Sequence, residues 1–322
     1  MILQIFDWVL LPVIVALAWR SLNDRDLFRA VIKFIALGLL LAVAWVRLRA
    51  PDVALAEAAV GSGLTGALIL SALVRMRRRE QAATSEATGG IEVMRRVSIG
   101  ILSLALFAAL CWAVVALPAR PTGLTEASLA RLSESGVTNP VTAVLLNYRG
   151  YDTLLEVGVL LLAIIGVWSL RRGELPAADL SDRPLLLSLL RVVLPVLVLA
   201  AGYMLWIGAF APGGAFQGGA LLGGALVLLM LGGLARRVVN RSRLLRAGLV
   251  LGVLVFAMVC AITLLLTGGF LQYPSGSGGA WIMVIESAAL ISIGLTLGLL
   301  YLGGRPTGGQ GDSADRSSSD HA

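Results

Sequence analysis

Nine apolar runs of membrane-spanning length recur along this 322-residue chain and constrain its fold more than any other feature. A helix needs about 20 mostly apolar residues to cross the hydrocarbon core of a bilayer. The runs cover residues 2–19, 29–48, 51–74, 95–117, 151–170, 187–210, 216–235, 244–267 and 280–302. Charged residues make up only 14% of the chain, against about 25% in soluble domains. The sequence therefore predicts an all-α, polytopic membrane helix bundle with about nine transmembrane helices.

The positive charges predict how the bundle is oriented. If each run crosses the membrane, 21 of the 26 lysines and arginines lie on the same side of it. Cytoplasmic segments of membrane proteins carry such an excess of positive charge. We therefore expect the N-terminus outside, the C-terminus inside and a location in the inner (plasma) membrane of the cell. The arginines flank the apolar runs, where positive side chains anchor helices in the membrane. The net charge of +7 therefore does not make nucleic acid an expected partner.

The residues that usually hold cofactors are scarce. Cys111 and Cys260 lie singly inside apolar runs, and the one histidine, His321, lies in the C-terminal tail. Haem, structural zinc and iron–sulfur centres need sets of cysteines or histidines. We therefore expect no cofactor, no metal and no enzyme activity in this chain.

Composition divides the chain into three blocks and a tail. The blocks are residues 1–78 with three helices, 93–172 with two helices and an outer loop at 118–150, and 185–304 with four helices, followed by a disordered tail at 305–322. Polar linkers at 75–92 and 171–184 separate them. Inside the outer loop, the sequence TEASLARLSES predicts a short interfacial helix with Leu129 and Leu132 facing inward.

Glu57 is the one charge in the apolar part of the third run. A carboxylate at the middle of a bilayer costs about 2.5–3.5 kcal/mol, so this side chain must be protonated, paired or placed in a hydrated seam between helices. Small residues surround it, and Gly61, Gly63 and Gly66 are expected to let another helix approach closely. Glu57 is therefore a candidate ion-translocating residue. Asp52, in the first turn, is expected to be structural, because an acid there suits the helix dipole.

Three more acidic residues border or enter apolar runs. Asp152 opens the fifth run, and Glu156 lies one turn deeper on the same face. Glu286 is the lone charge of the ninth run. A role in ion translocation is favoured for Glu156 and Glu286. For Asp152 a surface ion pair with Arg149 is an equally good interpretation.

The start of the seventh run, APGGAFQGGALLGG, is rich in glycine. No lysine follows, which excludes a phosphate-binding loop. Small residues at every fourth position favour close helix packing through Gly214, Gly218, Gly219 and Gly223. In the alternative interpretation, the turn at 212–214 bends inward and Gln217 offers its amide to a polar path.

These stretches resemble a known family. APDVALAEAAVGSGLTGAL resembles the MbhD-type segment of Mrp-type cation/proton antiporters and membrane-bound hydrogenases, and NYRGYDTLLEVGVLLLAIIGV resembles the MbhE segment that follows it. APGGAFQGGALLGGALV with the late Glu286 is similar to the MnhB/MrpB subunit. Together they indicate a fusion of small subunits in family order. The family is also related to the membrane arm of respiratory complex I.

The resemblance implies a subunit of a multisubunit Na+(cation)/H+ antiporter that moves protons and sodium. Glu57, Asp152 and Glu156 fall on acidic positions of the family. The expected partners are large antiporter-like membrane subunits, other small subunits and the lipid bilayer. Those large subunits resemble pumps with lysines at mid-membrane, whereas the only lysine here, Lys33, lies near a helix end. Two alternatives remain: the membrane arm of a redox-driven ion pump, or a structural scaffold.

Overall fold

The computed structural model describes residues 2–80, 89–117, 123–170, 172–173, 184–233, 242–303 and 305–306. Its helices are α1 (Ile2–Asn23), α2 (Leu27–Arg47), α3 (Pro51–Ala56), α4 (Thr65–Glu80), α5 (Gly89–Val115), α6 (Thr125–Ala130), α7 (Pro140–Ala143), α8 (Gly150–Leu170), α9 (Pro184–Ile207), α10 (Ala215–Leu231), α11 (Ser242–Thr267) and α12 (Gly278–Leu300). Two π-helical segments, Glu57–Leu64 and Val144–Tyr148, and a 3₁₀ turn, Leu132–Glu134, complete the helical part. The strands β1 (Arg172–Gly173) and β2 (Arg305–Pro306) pair in parallel.

The predicted helical membrane bundle is confirmed. Among the described residues, eight helical stretches are long and apolar enough to cross a membrane, and α10 is a shorter apolar helix. The third span, Pro51–Val74, runs without a break through α3, the first π segment and the start of α4. The orientation with the N-terminus outside stays a prediction.

Some predicted boundaries differ from the structure. The linker predicted at 75–92 is helical at both ends, because α4 continues to Glu80 and α5 begins at Gly89, and residues 81–88 lie outside the described residues. Most of the 171–184 linker and the tail also lie outside them. In the outer loop, Leu132 packs on a core cluster as predicted, but Leu129 is 50% exposed. The inward orientation expected for Leu129 is wrong, because α6 ends at Ala130 and a 3₁₀ turn follows.

α12 is the central helix of the bundle. Within the chain, 72% of the most apolar stretch of α12 is buried, compared with at most 33% of that stretch in the seven other long candidate spans. Glycines bring α10 against it: a Cβ built on Gly219 would lie 2.7 Å from Ile293, and one on Gly223 would lie 3.1 Å from Leu297. A helix so enclosed by protein can carry a polar side chain that lipid would not tolerate.

Ion pairs join α1 and α2 at both ends. Arg47 donates hydrogen bonds of 2.7 and 2.8 Å to the two carboxylate oxygens of Asp7, a bidentate contact between the helices. At the other end Lys33 pairs with Asp24, and hydrogen bonds from Lys33 and from the Asp26 amide lower the pKa of Asp24. The single lysine of the chain is thus held in a helix-end contact.

Candidate functional site

Glu286 is the most enclosed acidic side chain that the structure describes. It lies eight residues after the start of α12, about 12 Å along the helix axis, and is 4% exposed. Its Oε1 accepts a hydrogen bond of 3.2 Å from the backbone N–H of Ala215. Its Oε2 is buried and has no hydrogen-bond partner among the described residues. One oxygen is therefore fixed in place, while the other is enclosed without a hydrogen-bond partner.

The first turn of α10 is shaped to receive this carboxyl group. Gly214 precedes α10 with φ 121°, a backbone conformation that favours glycine. A Cβ at Gly214 would lie 2.8 Å from Glu286 Oε1, so a side chain there would displace the carboxylate. The amides at the start of a helix lack partners within the helix, and the helix dipole favours negative charge there. Ala215 supplies one of these amides to Glu286.

Asp52 holds the turn 208–214, which leads into α10, and also contacts the start of that helix. The N–H of Gly213 donates to Asp52 Oδ1 at 3.1 Å, and the side-chain amide of Gln217 donates to the Asp52 carbonyl at 3.3 Å. The sequence interpretation, in which Asp52 only stabilises its own helix end, misses this role. A partner more than 160 residues away leaves no local signal, although the sequence does mark Gln217 as a candidate polar contact.

The outer loop holds the turn from a third direction. Asn139 donates its side-chain amide to the carbonyls of Gly208 and Ala211, at 3.1 and 3.0 Å. Thr142 donates its hydroxyl to the Gly208 carbonyl at 2.6 Å. Both side chains are 4% exposed. Polar groups from the first two sequence blocks thus fix the turn 208–214, and Glu286 of the third block binds the start of α10 directly after it.

A cavity of about 450 Å³ opens between these elements. The third span, the segment 141–146, α8, α10 and α12 form its walls, and three of its lining residues are acidic: Asp52, Glu156 and Glu286. None of the described residues that line it is Lys, Arg or His. Most of the other lining side chains are apolar, including Val60, Leu145, Leu146, Phe216 and Ile285. The described lining of the cavity is therefore acidic and mainly apolar.

Glu156 lines this cavity but is less enclosed than Glu286. Its side chain is exposed on the surface of the isolated chain. It lies six residues into α8, about 9 Å from the helix start. Because it meets both the cavity and the outside of the bundle, Glu156 is placed at the cavity entrance.

Glu57 does not line the cavity, since its carboxyl group lies on another face of the third span. It opens the π segment Glu57–Leu64 and covers Gly61. Its Oε1 would lie 3.2 Å from a Cβ built on Gly38, so the carboxyl group faces α2. Ser62, fully buried in the same segment, donates to the Ala58 carbonyl at 3.0 Å. Glu57 thus occupies a separate polar position between α2 and the third span.

Asp152 forms the surface ion pair that the sequence left open. Arg149 Nη2 lies 2.7 Å from Asp152 Oδ2, and both side chains are well exposed. Asp152 is not among the residues that line the cavity. Of the four predicted ion-translocating residues, the structure therefore brings Glu156 and Glu286 to one cavity and leaves Glu57 and Asp152 outside it.

The predicted packing glycines have different surroundings. Gly218 lies against Leu290 and the Ala201 carbonyl, and Gly219 and Gly223 lie against α12. In the third span, Gly66 faces Ile35 of α2, whereas Gly61 lies beneath Glu57 and Gly63 beside the Ala58 carbonyl. Gly214 shapes the turn instead. Helix contact and carboxyl placement therefore both depend on glycines in this bundle.

Comparison with known proteins places three family domains in succession along the chain. Residues 12–78 match the MbhD family and residues 91–185 match the MbhE family, both described as subunits of MBH. Residues 185–302 match a domain related to the MnhB subunit of Na+/H+ antiporter.

A relative from Rhizobium meliloti (strain 1021), described as a probable K(+)/H(+) antiporter A/B subunit, is 25% identical over 237 residues, which are 64% of this chain. The chain spans only 24% of that relative. A solved chain of the Mrp complex from Dietzia sp. DQ12-45-1b has the same fold over 95% of this chain and 35% of its own length, with a TM-score of 0.71 and 23% identity.

The domains, in their order, agree with the predicted fusion. This chain belongs to the Mrp-type family, as a fusion of MbhD-like, MbhE-like and MnhB-like domains.

Proposed function

We propose that this chain is a membrane subunit of a multisubunit cation/proton antiporter and supplies acidic residues to its ion path. The observation that carries the proposal is Glu286, a buried carboxyl group with one oxygen anchored and the other without a hydrogen-bond partner among the described residues, on a cavity shared with Asp52 and Glu156. Burial away from water disfavours the charged form of a carboxyl group, so such a group exchanges protons or pairs with cations readily.

Glu286 and Glu156 take up and release the transported ion along the cavity. Glu286 is the more buried of the two and Glu156 lies nearer the surface, so an ion that enters past Glu156 reaches the Glu286 carboxyl group next. Glu57 serves as a separate acidic group beside α2. Asp152, paired with Arg149, has a structural role at the start of α8.

The names of the relatives support a transport subunit rather than an enzyme. The curated relative is a probable K(+)/H(+) antiporter subunit, and one domain is related to the MnhB subunit of Na+/H+ antiporter. The proposed partners are the large antiporter-like subunits and other small subunits of one complex in the plasma membrane. The proposed coupling ions are protons and a monovalent cation, with sodium as the first candidate.

The test is transport by the assembled complex. We would purify the complex in mild detergent, reconstitute it in vesicles and measure proton movement driven by a sodium or potassium gradient. Joint replacement of Glu57, Glu156 and Glu286 by glutamine is expected to reduce transport to background while the complex still assembles. Full transport by that variant would instead support a scaffold. Iron–sulfur absorbance in the purified complex would favour a redox-driven pump.

A further inference from the structure

A second cavity, of about 710 Å³, lies on the face of the bundle where α8 and α12 begin. The outer loop and the loop before α12 form its walls, and its lining includes Arg131, Glu134, Asn147 and Gln272. Arg131, Glu134 and Gln272 are exposed, so this outer cavity is open to water. It shares no described lining residue with the acidic cavity that Glu156 and Glu286 line.

The second π segment, Val144–Tyr148, forms the wall between the two cavities. Leu145 and Leu146 line the acidic cavity. The next two residues, Asn147 and Tyr148, line the outer cavity. Leu146 is 4% exposed and belongs to a buried core cluster. One short helical segment, with Leu146 at its centre, therefore separates an open polar cavity from an enclosed acidic one.

Two side-chain hydroxyl groups hold this wall in place, one from each cavity. Thr153 lines the acidic cavity and donates to the Leu145 carbonyl at 2.7 Å. Tyr273 lines the outer cavity and donates to the Leu146 carbonyl at 2.7 Å. Carbonyls at the end of a helix lack partners within it, so this segment depends on bonds from other elements. A short π segment held in this way opens more easily than the interior of a long α-helix.

The acidic cavity needs an opening to water besides the entrance beside Glu156. Glu156 lies about 9 Å along the apolar helix α8, so its entrance is on the flank of the bundle, which lipid or a partner subunit covers. The outer cavity is the nearest described space that is open to water and adjoins the acidic cavity through a single wall.

We propose that the outer cavity is the outer mouth of the ion path and that Leu146 is its gate. This inference rests on the proposed transport function. Ions exchange with water in the outer cavity and pass to or from the acidic cavity when the segment 144–148 moves aside with the Leu146 side chain. The closed wall prevents a continuous passage, through which ions would leak down their gradients without exchange.

The test is thiol labelling of the assembled complex in vesicles. Both native cysteines, Cys111 and Cys260, are first replaced by alanine. Ala280→Cys then places a thiol in the outer cavity, and Ala289→Cys places one in the acidic cavity, about 14 Å further along α12. The probe is trimethylammonioethyl methanethiosulfonate, whose fixed positive charge keeps it from crossing the bilayer. Ala280→Cys is expected to react quickly from one side only, and Ala289→Cys slowly from that side.

Variants of the wall are expected to speed the labelling of Ala289→Cys from that side. Leu146→Ala shortens the side chain at the centre of the wall and should raise the rate about tenfold, with Ala280→Cys unchanged. Tyr273→Phe removes one hydrogen bond to the wall, should raise the rate about threefold, and serves if Leu146→Ala does not fold. Leu249→Ala is the matched control, because Leu249 is equally buried but lines neither cavity.

A rise confined to the wall variants would support the outer mouth. An unchanged rate in the folded wall variant, or an equal rise in Leu249→Ala, would overturn it. Labelling is measured without transport, so such a result together with loss of transport in Glu286→Gln would reject the outer mouth and leave the proposed function standing.

Discussion

The backbone N–H of Ala215 donates a hydrogen bond of 3.2 Å to Oε1 of Glu286, joining the first turn of α10 to the interior of α12. Because Gly214 has no side chain, the carboxylate approaches this turn closely, and its second oxygen is buried without a hydrogen-bond partner among the described residues. The turn 208–214, which leads into α10, is held by Asp52 and by Asn139. The position of the buried acid thus depends on groups from all three blocks of the chain.

Gly214→Ala is expected to displace the Glu286 carboxylate and to reduce transport strongly. The new Cβ would lie 2.8 Å from Glu286 Oε1, and the φ of 121° would strain any other residue by about 1–3 kcal/mol. Transport in vesicles and thermal unfolding of the purified chain would measure the two effects.

Gly224→Ala is the matched control, because nothing lies within 4 Å of a Cβ built there and α10 continues through it. It should keep transport and gain slightly in helix stability. Equal loss in both variants would mean that α10 tolerates no added methyl group anywhere, and Gly214 would then have no special role.

Asp52→Ala is expected to loosen the turn 208–214, because it removes the acceptor for the Gly213 amide. The loss of one such hydrogen bond should cost about 1–3 kcal/mol of unfolding free energy, measured by chemical unfolding of the purified chain. Asp52→Asn keeps an oxygen acceptor and should retain most of that stability. If Asp52→Asn proved as unstable as Asp52→Ala, the charge of Asp52, and not its hydrogen bond, would be the stabilising feature.

Tyr273→Phe is expected to destabilise the fold by about 1 kcal/mol, by the same amount from pH 6 to pH 9. The Tyr273 hydroxyl donates to the Leu146 carbonyl at 2.7 Å, which ties the loop before α12 to the second π segment. Burial raises the pKa of Tyr273 above its usual value, so the donor stays protonated throughout this range, and its contribution is lost only at more alkaline pH.

Chemical unfolding at several pH values would measure this effect, with Tyr203→Phe as the control, because Tyr203 is 53% exposed. A destabilisation that disappears between pH 6 and pH 9 would show that the hydroxyl titrates there, contrary to its burial.

The lengths of the apolar runs predicted the bundle, since runs of membrane-spanning length leave few other folds. The isolated charges of Glu156 and Glu286 marked them for the same reason: a lone acid in such a run is costly unless protein encloses it. These signals lie within single helices and are readable from neighbouring residues.

The partners of these acids were not predictable in the same way. The contact between Asp52 and Gly213 depends on how two distant blocks pack, and no short-range pattern encodes it. The π segment that begins at Glu57 also changes which residues share a face, so α-helical spacing could not place Glu57 beside α2.

The most direct test of the account is Glu286→Gln in the assembled complex, measured as cation-driven proton movement across reconstituted vesicles. Glutamine keeps the side-chain shape and an acceptor for the Ala215 amide but cannot release a proton or carry negative charge. The account predicts transport at background level with the complex still assembled. Transport at the wild-type rate would contradict it.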